Sequence, residues 1–229
     1  MAQRKKTNKK QDDVLINISE VTGQAEDFFE KHQKLILIGV TALVVIFGGY
    51  MAYSNFFVKP KQKEAIEQMA QAEYQFERDS FALALANPGG GFPGFADIVK
   101  KYGSTKAGNA ATYYAGICCL NMGQFDAAIS YLDDFSASGE IGPAMKYGAL
   151  GDAHSEKGDF NKALSLYHKA AGAADNEVLT PYYLKKYAML SAKQGKTDDA
   201  KKTWEKIKKD YPTALEATDA EKNIIRLSK

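Results

Sequence analysis

Residues 35 to 58, LILIGVTALVVIFGGYMAYSNFFV, hold no charge in 24 positions and run straight into KPKQK. As a helix rising about 1.5 Å per residue they reach roughly 36 Å, enough to cross a hydrocarbon core ~30 Å thick with some tilt. A core helix rarely needs that length. A secretory signal carries an apolar region of about 7–15 residues behind a short basic head, with small residues at its cleavage site. Here the run is longer, its head is 34 residues, and the best cleavage pattern, Ala52 with Ser54, encloses the large Tyr53. The expectation is therefore an uncleaved transmembrane helix over 35–58.

Gly39, Gly48 and Gly49 offer a surface that a second helix can approach closely. Tyr50, Tyr53, Phe56 and Phe57 gather toward the C-terminal end, where aromatic rings prefer the interface. Basic residues near helix ends are retained in the cytoplasm. Arg4, Lys5, Lys6, Lys9, Lys10, Lys31 and Lys34 precede the run, against Lys59, Lys61, Lys63 and Arg78 after it. This bias predicts a cytoplasmic head, 1–34, and an external domain, 59–229. In the head, MAQRKKTNKKQDD is expected to be disordered. The following NISEVTGQAEDFFEKHQK puts Ile18, Val21, Ala25 and Phe28 or Phe29 on one face of an amphipathic juxtamembrane helix suited to the bilayer surface.

The 171 residues beyond the run suffice for one domain with its own core. Residues 59–180 hold 11 basic and 15 acidic side chains, and 181–229 hold 12 and 7, so a net −4 region precedes a net +5 end. A Lys-rich solvated helix surface accounts for the basic end; contact with anionic lipid or an acidic partner is the alternative. The only cysteines, Cys118 and Cys119, are adjacent and cannot staple distant segments. They also lack the C-x-x-C spacing of a redox pair, so they read as packing residues.

Three segments repeat one another: GNAATYYAGICCLNMGQFDAAISYLDDF from Gly108, PAMKYGALGDAHSEKGDFNKALSLYHKA from Pro143, and TPYYLKKYAMLSAKQGKTDDAKKTWEKI from Thr180. Each has a small residue, a glycine seven positions on, and an alanine five further: Gly116, Gly123, Ala128; Gly151, Gly158, Ala163; Ala188, Gly195, Ala200. Small residues on both helices let a helical hairpin close tightly, and the glycine supplies the left-handed backbone that ends its first helix. Apolar positions recur at helical spacing on the second helices: Phe125, Ile129, Leu132; Phe160, Leu164, Tyr167; Ala200, Trp204, Ile207. Pro212 stops the last. This pattern resembles the tetratricopeptide repeat (TPR), a helix-turn-helix unit of about 34 residues that stacks into a solenoid. Phe125 and Phe160 stand at its aromatic position, Thr197 replaces the aromatic in the third unit, and Thr112, Tyr147 and Leu184 replace its leading tryptophan.

The expected fold is thus all-α: a single N-terminal transmembrane helix followed by a TPR-like helical-hairpin solenoid. Its parts are a degenerate pair over 62–107, repeats at about 109–142, 144–177 and 181–214, and a capping helix over 215–227. In the degenerate pair, residues 62–85 read as one long helical stretch, and NPGGGFPG as a widened, flexible turn before the short helix FADIVKKYG.

No constellation for chemistry emerges. Gly89 to Gly94 satisfies G-x-G-x-x-G but follows no strand, as a dinucleotide loop must. His154 and His168 lack metal-ligand spacing, and His32 lies before the membrane run. Asp133 with Asp134, and Asp198 with Asp199, read as solvated faces without an accompanying nucleophile or base. Basic residues without an aromatic platform disfavour nucleic acid. The expectation is a non-enzyme without cofactor or metal.

What remains is surface. The TPR resemblance places Tyr113, Tyr114, Ile117 and Asn121 of the first unit on the concave groove, with Asp152 and Glu156 of the second, and Tyr182, Lys185, Met189 and Lys193 of the third. Tyrosine anchors among mixed charges suit a protein partner. The paired Lys and Asn clamp of the family's chaperone-tail binders is not apparent. The layout of short head, uncleaved anchor and divergent helical repeats resembles the bacterial membrane-anchored TPR-like family that includes the ancillary subunit of the SecYEG translocon. The sharpest local match is FADIVKKYGSTKAGNAATYYAGICCLNMGQFDAAISYL. The resemblance implies an inner-membrane scaffold whose periplasmic domain links Sec translocon subunits to periplasmic chaperones. The alternative is an assembly factor for another envelope machine, in secretion, division or wall synthesis.

Overall fold

The computed structural model describes residues 9–173 and 176–228, with side chains from residue 30 onward, and every regular element among them is helical. The chain divides into two compact units, Met1–Lys59 and Pro60–Lys229.

In the first unit, helix α1 spans Lys9–Tyr53 and ends in a π-helical turn, Ser54–Val58. Residues 9–13, expected to be disordered, are helical; residues 1–8 and the proposed stripe of Ile18, Val21, Ala25 and Phe28 or Phe29 lie outside the described residues or side chains. No residue from 30 to 58 is buried. Leu43, Ile46, Phe47 and Tyr50 are each about two-thirds exposed. A helix satisfies its own backbone polar groups, so such a surface suits lipid. Among the described residues this is the one helical stretch long and apolar enough to cross a membrane.

The second unit continues through α2 (Lys59–Glu77), α3 (Phe81–Ala86), α4 (Phe95–Tyr102), α5 (Lys106–Asn121), α6 (Phe125–Asp134), α7 (Gly142–Glu156), α8 (Phe160–Ala173), α9 (Leu179–Lys193), α10 (Thr197–Asp210) and α11 (Ala217–Leu227). From α3 onward each helix packs on the next, the serial arrangement of a TPR-like solenoid. Gly123, Gly158 and Gly195 all have left-handed φ, 74°, 84° and 73°. At each, the next amide reaches back to the carbonyl five residues earlier: Gln124 to Cys119 at 2.8 Å, Asp159 to His154 at 2.8 Å, Lys196 to Ser191 at 2.9 Å. These are Schellman closures, which satisfy carbonyls that the ending helix leaves unpaired.

The small residue of each first helix has a more specific task than the expected close approach of two slim helices. A Cβ at Gly116 would stand 2.8 Å from Leu132 Cγ, and one at Gly151 would stand 2.6 Å from the Tyr167 ring. Each glycine therefore seats a large side chain from the second helix, four residues past that helix's buried alanine. Ala188 and Trp204 hold the same two positions in the third unit and share one core cluster.

The long helix expected over 62–85 is interrupted. It stops at Glu77, and Asp79 adopts φ 56°. The Ser80 amide then donates to Gln75 O at 2.9 Å, the same closure as at the three glycines. Aspartate tolerates left-handed backbone better than most residues. The repeat register thus extends upstream as Ala72, Asp79, Phe81 and Ala84, with both alanines fully buried. Pro88 stands where Leu132, Tyr167 and Trp204 stand in the later units. Since the residue before a proline avoids helical backbone, α3 ends after six residues. The loop that follows is held at its first residues. Pro88 is buried, and its carbonyl accepts from Gln75 Nε2 at 3.0 Å and Gln71 Nε2 at 3.4 Å. Beyond it, α4 buries Phe95, Ile98 and Tyr102 on one face.

Candidate protein-docking groove

Tyr113, Tyr114 and Ile117 lie within one turn of α5 and line a cavity of about 460 Å³ with Phe76 of α2, Asn109 and Ala110 of α5, Phe135 after α6, and Met145 of α7. Three helices reach this point because the α6–α7 connection folds back on α5. Asn109 Nδ2 donates to Ser136 O at 3.0 Å, and the Ser136 amide donates to Asn109 Oδ1 at 2.9 Å. Tyr113 packs against Phe135, ring centroids 5.3 Å apart. Burial, with the charge of Asp152 adding to it, pushes its phenol up to about 12. Tyr114 stacks on Phe95 at 5.1 Å and meets Phe76 edge-on at 5.0 Å, so much of its ring serves the packing of α5 against α2 and α4. Ile117 is half-buried beside Leu132 and Leu150. Asn121 is exposed and turns its Nδ2 back to Ile117 O at 2.9 Å.

Asp152 centres a second constellation. It accepts from Tyr167 Oη at 2.7 Å and from Lys186 Nζ at 2.6 and 2.8 Å, joining α7, α8 and α9. Burial pulls the Lys186 ammonium down, but Asp152 outweighs it and holds the group above the ordinary lysine range. Burial foremost, and then the Asp152 charge, drive Tyr167 upward. Lys186 Nζ also lies 5.1 Å from the centroid of the Tyr182 ring, within cation–π range. Lys186 is absent from the groove set drawn from the sequence. Its signal was the 34-residue separation from Asp152, one repeat length with opposite charge.

The other expected groove residues stand apart from both constellations. Glu156 is exposed. Lys185 Nζ is 3.2 Å from Asp219 Oδ2 of α11. Met189 is 56 % exposed. Lys193 lies over the Phe160 ring, 5.4 Å from its centroid.

His154 and the two cysteines are taken up in packing. His154 is buried with Nδ1 3.2 Å from Asp159 Oδ2. Cys118 and Cys119 are both free and buried. Burial, reinforced by its neighbour, pushes the Cys118 thiol up to about 12, far from the thiolate that nucleophilic chemistry requires. Among the described residues, no group of three or more His, Cys, Asp or Glu side chains is placed to hold a metal ion. An apolar cavity beside a tyrosine-rich ion pair has the makings of a binding surface.

A tetratricopeptide repeat model matches residues 186–214. The matched stretch takes in the end of α9 and all of α10, the unit that lacks the aromatic after its turn but keeps Gly195, Ala200 and Pro212. A comparison with curated proteins gave no match. Repeats of this kind present extended concave surfaces to protein partners.

Proposed function

We propose that this protein is a non-enzymatic, membrane-anchored scaffold that docks other proteins in the groove between α2, α5 and α7. The pairing of an apolar helical stretch, none of whose residues from 30 to 58 is buried, with a tyrosine-lined cavity in the repeat domain carries this reading. In the fuller form, the anchor sits in the bacterial inner membrane with residues 1–34 in the cytoplasm and 59–229 in the periplasm. There the domain links Sec translocon subunits to periplasmic chaperones. The resemblance in layout supports that assignment, and the excess of basic residues ahead of the membrane run supports the orientation.

Two experiments test it. Photocrosslinkers placed at Tyr113 and Tyr182 in cells should capture translocon subunits or periplasmic chaperones; capture only of division, secretion or wall-synthesis components would transfer the scaffold to another envelope machine. Protease added to spheroplasts should digest 59–229, and protection of that region would overturn the orientation.

A further inference from the structure

The groove's chemistry points to the class of segment it takes, an inference that rests on the docking reading above. Asp152 and Glu156 stand one and five residues after the small residue of α7, and the same two places in α2, counted from Ala72, are Glu73 and Glu77. Glu73 is half-buried, one turn before Phe76, and Glu77 follows Phe76 directly. Phe76 and Tyr114 line the cavity, and the charges of both carboxylates act on the Tyr114 phenol, which places them near its α2 side. Neither makes a hydrogen bond or ion pair with a described residue, and Glu156 makes none either. Arg78, directly after Glu77, donates to Tyr74 Oη at 2.6 Å instead. Lys146 Nζ donates to the carbonyls of Asp133 at 2.9 Å and Phe135 at 2.7 Å, closing the end of α6, while Lys186 is bound to Asp152. Burial and the like charge of Glu77 raise the Glu73 carboxyl above its ordinary range, the response of an acid with no cation beside it.

We propose that the groove binds a protein segment in which an apolar or aromatic side chain, seated among Phe76, Tyr113, Ile117 and Phe135, is flanked by Lys or Arg that pair with Glu73 and Glu77. Each half of the site then answers a defined need. The cavity offers aromatic walls to one buried anchor, the arrangement that dominates binding energy. The unpaired carboxylates sit on a helix where like charges four residues apart repel, so an arriving cation relieves the repulsion and pairs at once. The net −4 charge of residues 59–180 draws basic segments toward this end of the domain.

The test uses the full chain in nanodiscs and three fluorescent peptides: one with a central Phe-Leu flanked by Lys and Arg, its counterpart flanked by Asp and Glu, and a basic one with Ser in place of Phe-Leu. Anisotropy should show the first binding about tenfold tighter than either of the others, with the advantage over the acidic peptide shrinking at high salt. The double variant Glu73→Gln, Glu77→Gln should abolish the preference between flanks while leaving the need for Phe-Leu. The double variant Glu73→Lys, Glu77→Lys should reverse it, and circular dichroism checks that both fold. Equal affinity for basic and acidic flanks overturns the inference, while binding of both that Tyr113→Ala weakens would leave the docking reading standing. Absence of any Tyr113-dependent binding overturns the inference as well, and crosslinking from Tyr113 then decides the docking reading by itself.

Discussion

The leading hairpin, α2 with α3, and the hairpin of α7 with α8 share one register but are held by different means. In α7–α8 the Tyr167 ring occupies the space that a side chain at Gly151 would fill, and the turn glycine accepts its left-handed conformation without cost. In α2–α3 the turn rests on Asp79, and the place of Tyr167 falls to Pro88, which shortens the helix and leaves two glutamine side chains to hold its carbonyl. Four register residues therefore suffice to make a turn. The length of the second helix, and with it the depth of packing, depends on the residue four past the alanine.

That contrast can be broken hardest with pH. Tyr113 is raised to about 12 by burial, and burial also raises Tyr167 and Tyr183. A tyrosine whose folded pKa lies above its unfolded 10.0 contributes stability that is complete below pH 10 and is lost as pH rises toward the folded value. The array of α5–α10 should unfold between about pH 10 and 12, with tyrosinate absorbance and helical signal changing together. The leading segment should respond to acid instead. Hydrogen bonds from Tyr102 and Lys101 lower Glu64, so its contribution is present above pH 4.5 and is lost as pH falls through its folded pKa. Hydrogen exchange should then rise first in α2 and α4, and loosening that begins in α9 or α10 would contradict the assignment.

Single substitutions sharpen the comparison in descending order. Trp204→Ala empties the position where the leading hairpin has Pro88, and should cost about 3–5 kcal/mol in urea unfolding. Gly94→Ala drives a Cβ against the Leu85 carbonyl, a backbone group that cannot swing aside, and should cost about 1–3 kcal/mol. The turn residues should move in opposite directions. Gly158→Ala places a Cβ at φ 84° and should lose about 1–2 kcal/mol, whereas Asp79→Gly relieves φ 56° and should gain up to about 1 kcal/mol. If Asp79→Gly proves destabilising, the aspartate side chain does something at that turn beyond tolerating it.

Most of the array was legible because its constraints recur. Gly123, Gly158 and Gly195 repeat at nearly equal intervals, and each is explained by the same backbone requirement. The leading hairpin obeys the same spacing, yet it was hidden by two substitutions: an aspartate where glycine marks the turn and a proline where a large apolar side chain marks the packing. For the groove, motif position alone brought Tyr113, Tyr114 and Ile117 to one cavity. It did not show that Tyr114 is largely consumed by Phe95 and Phe76, since both partners come from α4 and α2, outside the aligned repeats. Nor did it separate Lys185 from Lys186. Adjacent lysines on a helix point about 100° apart, and only the position of α7 decides that Lys186 meets Asp152 while Lys185 turns to Asp219 of α11.

Local chemistry written along the chain determined the apolar span, the helical hairpins and the turns that close them, because each depends on interactions within a few residues. Tertiary structure alone decided which carboxylates found a cation. Asp152 has Lys186, whereas Glu73, Glu77 and Glu156 have no partner among the described residues. An ion pair forms only where two helices bring opposite charges within about 4 Å, a distance that neither sequence separation nor composition sets.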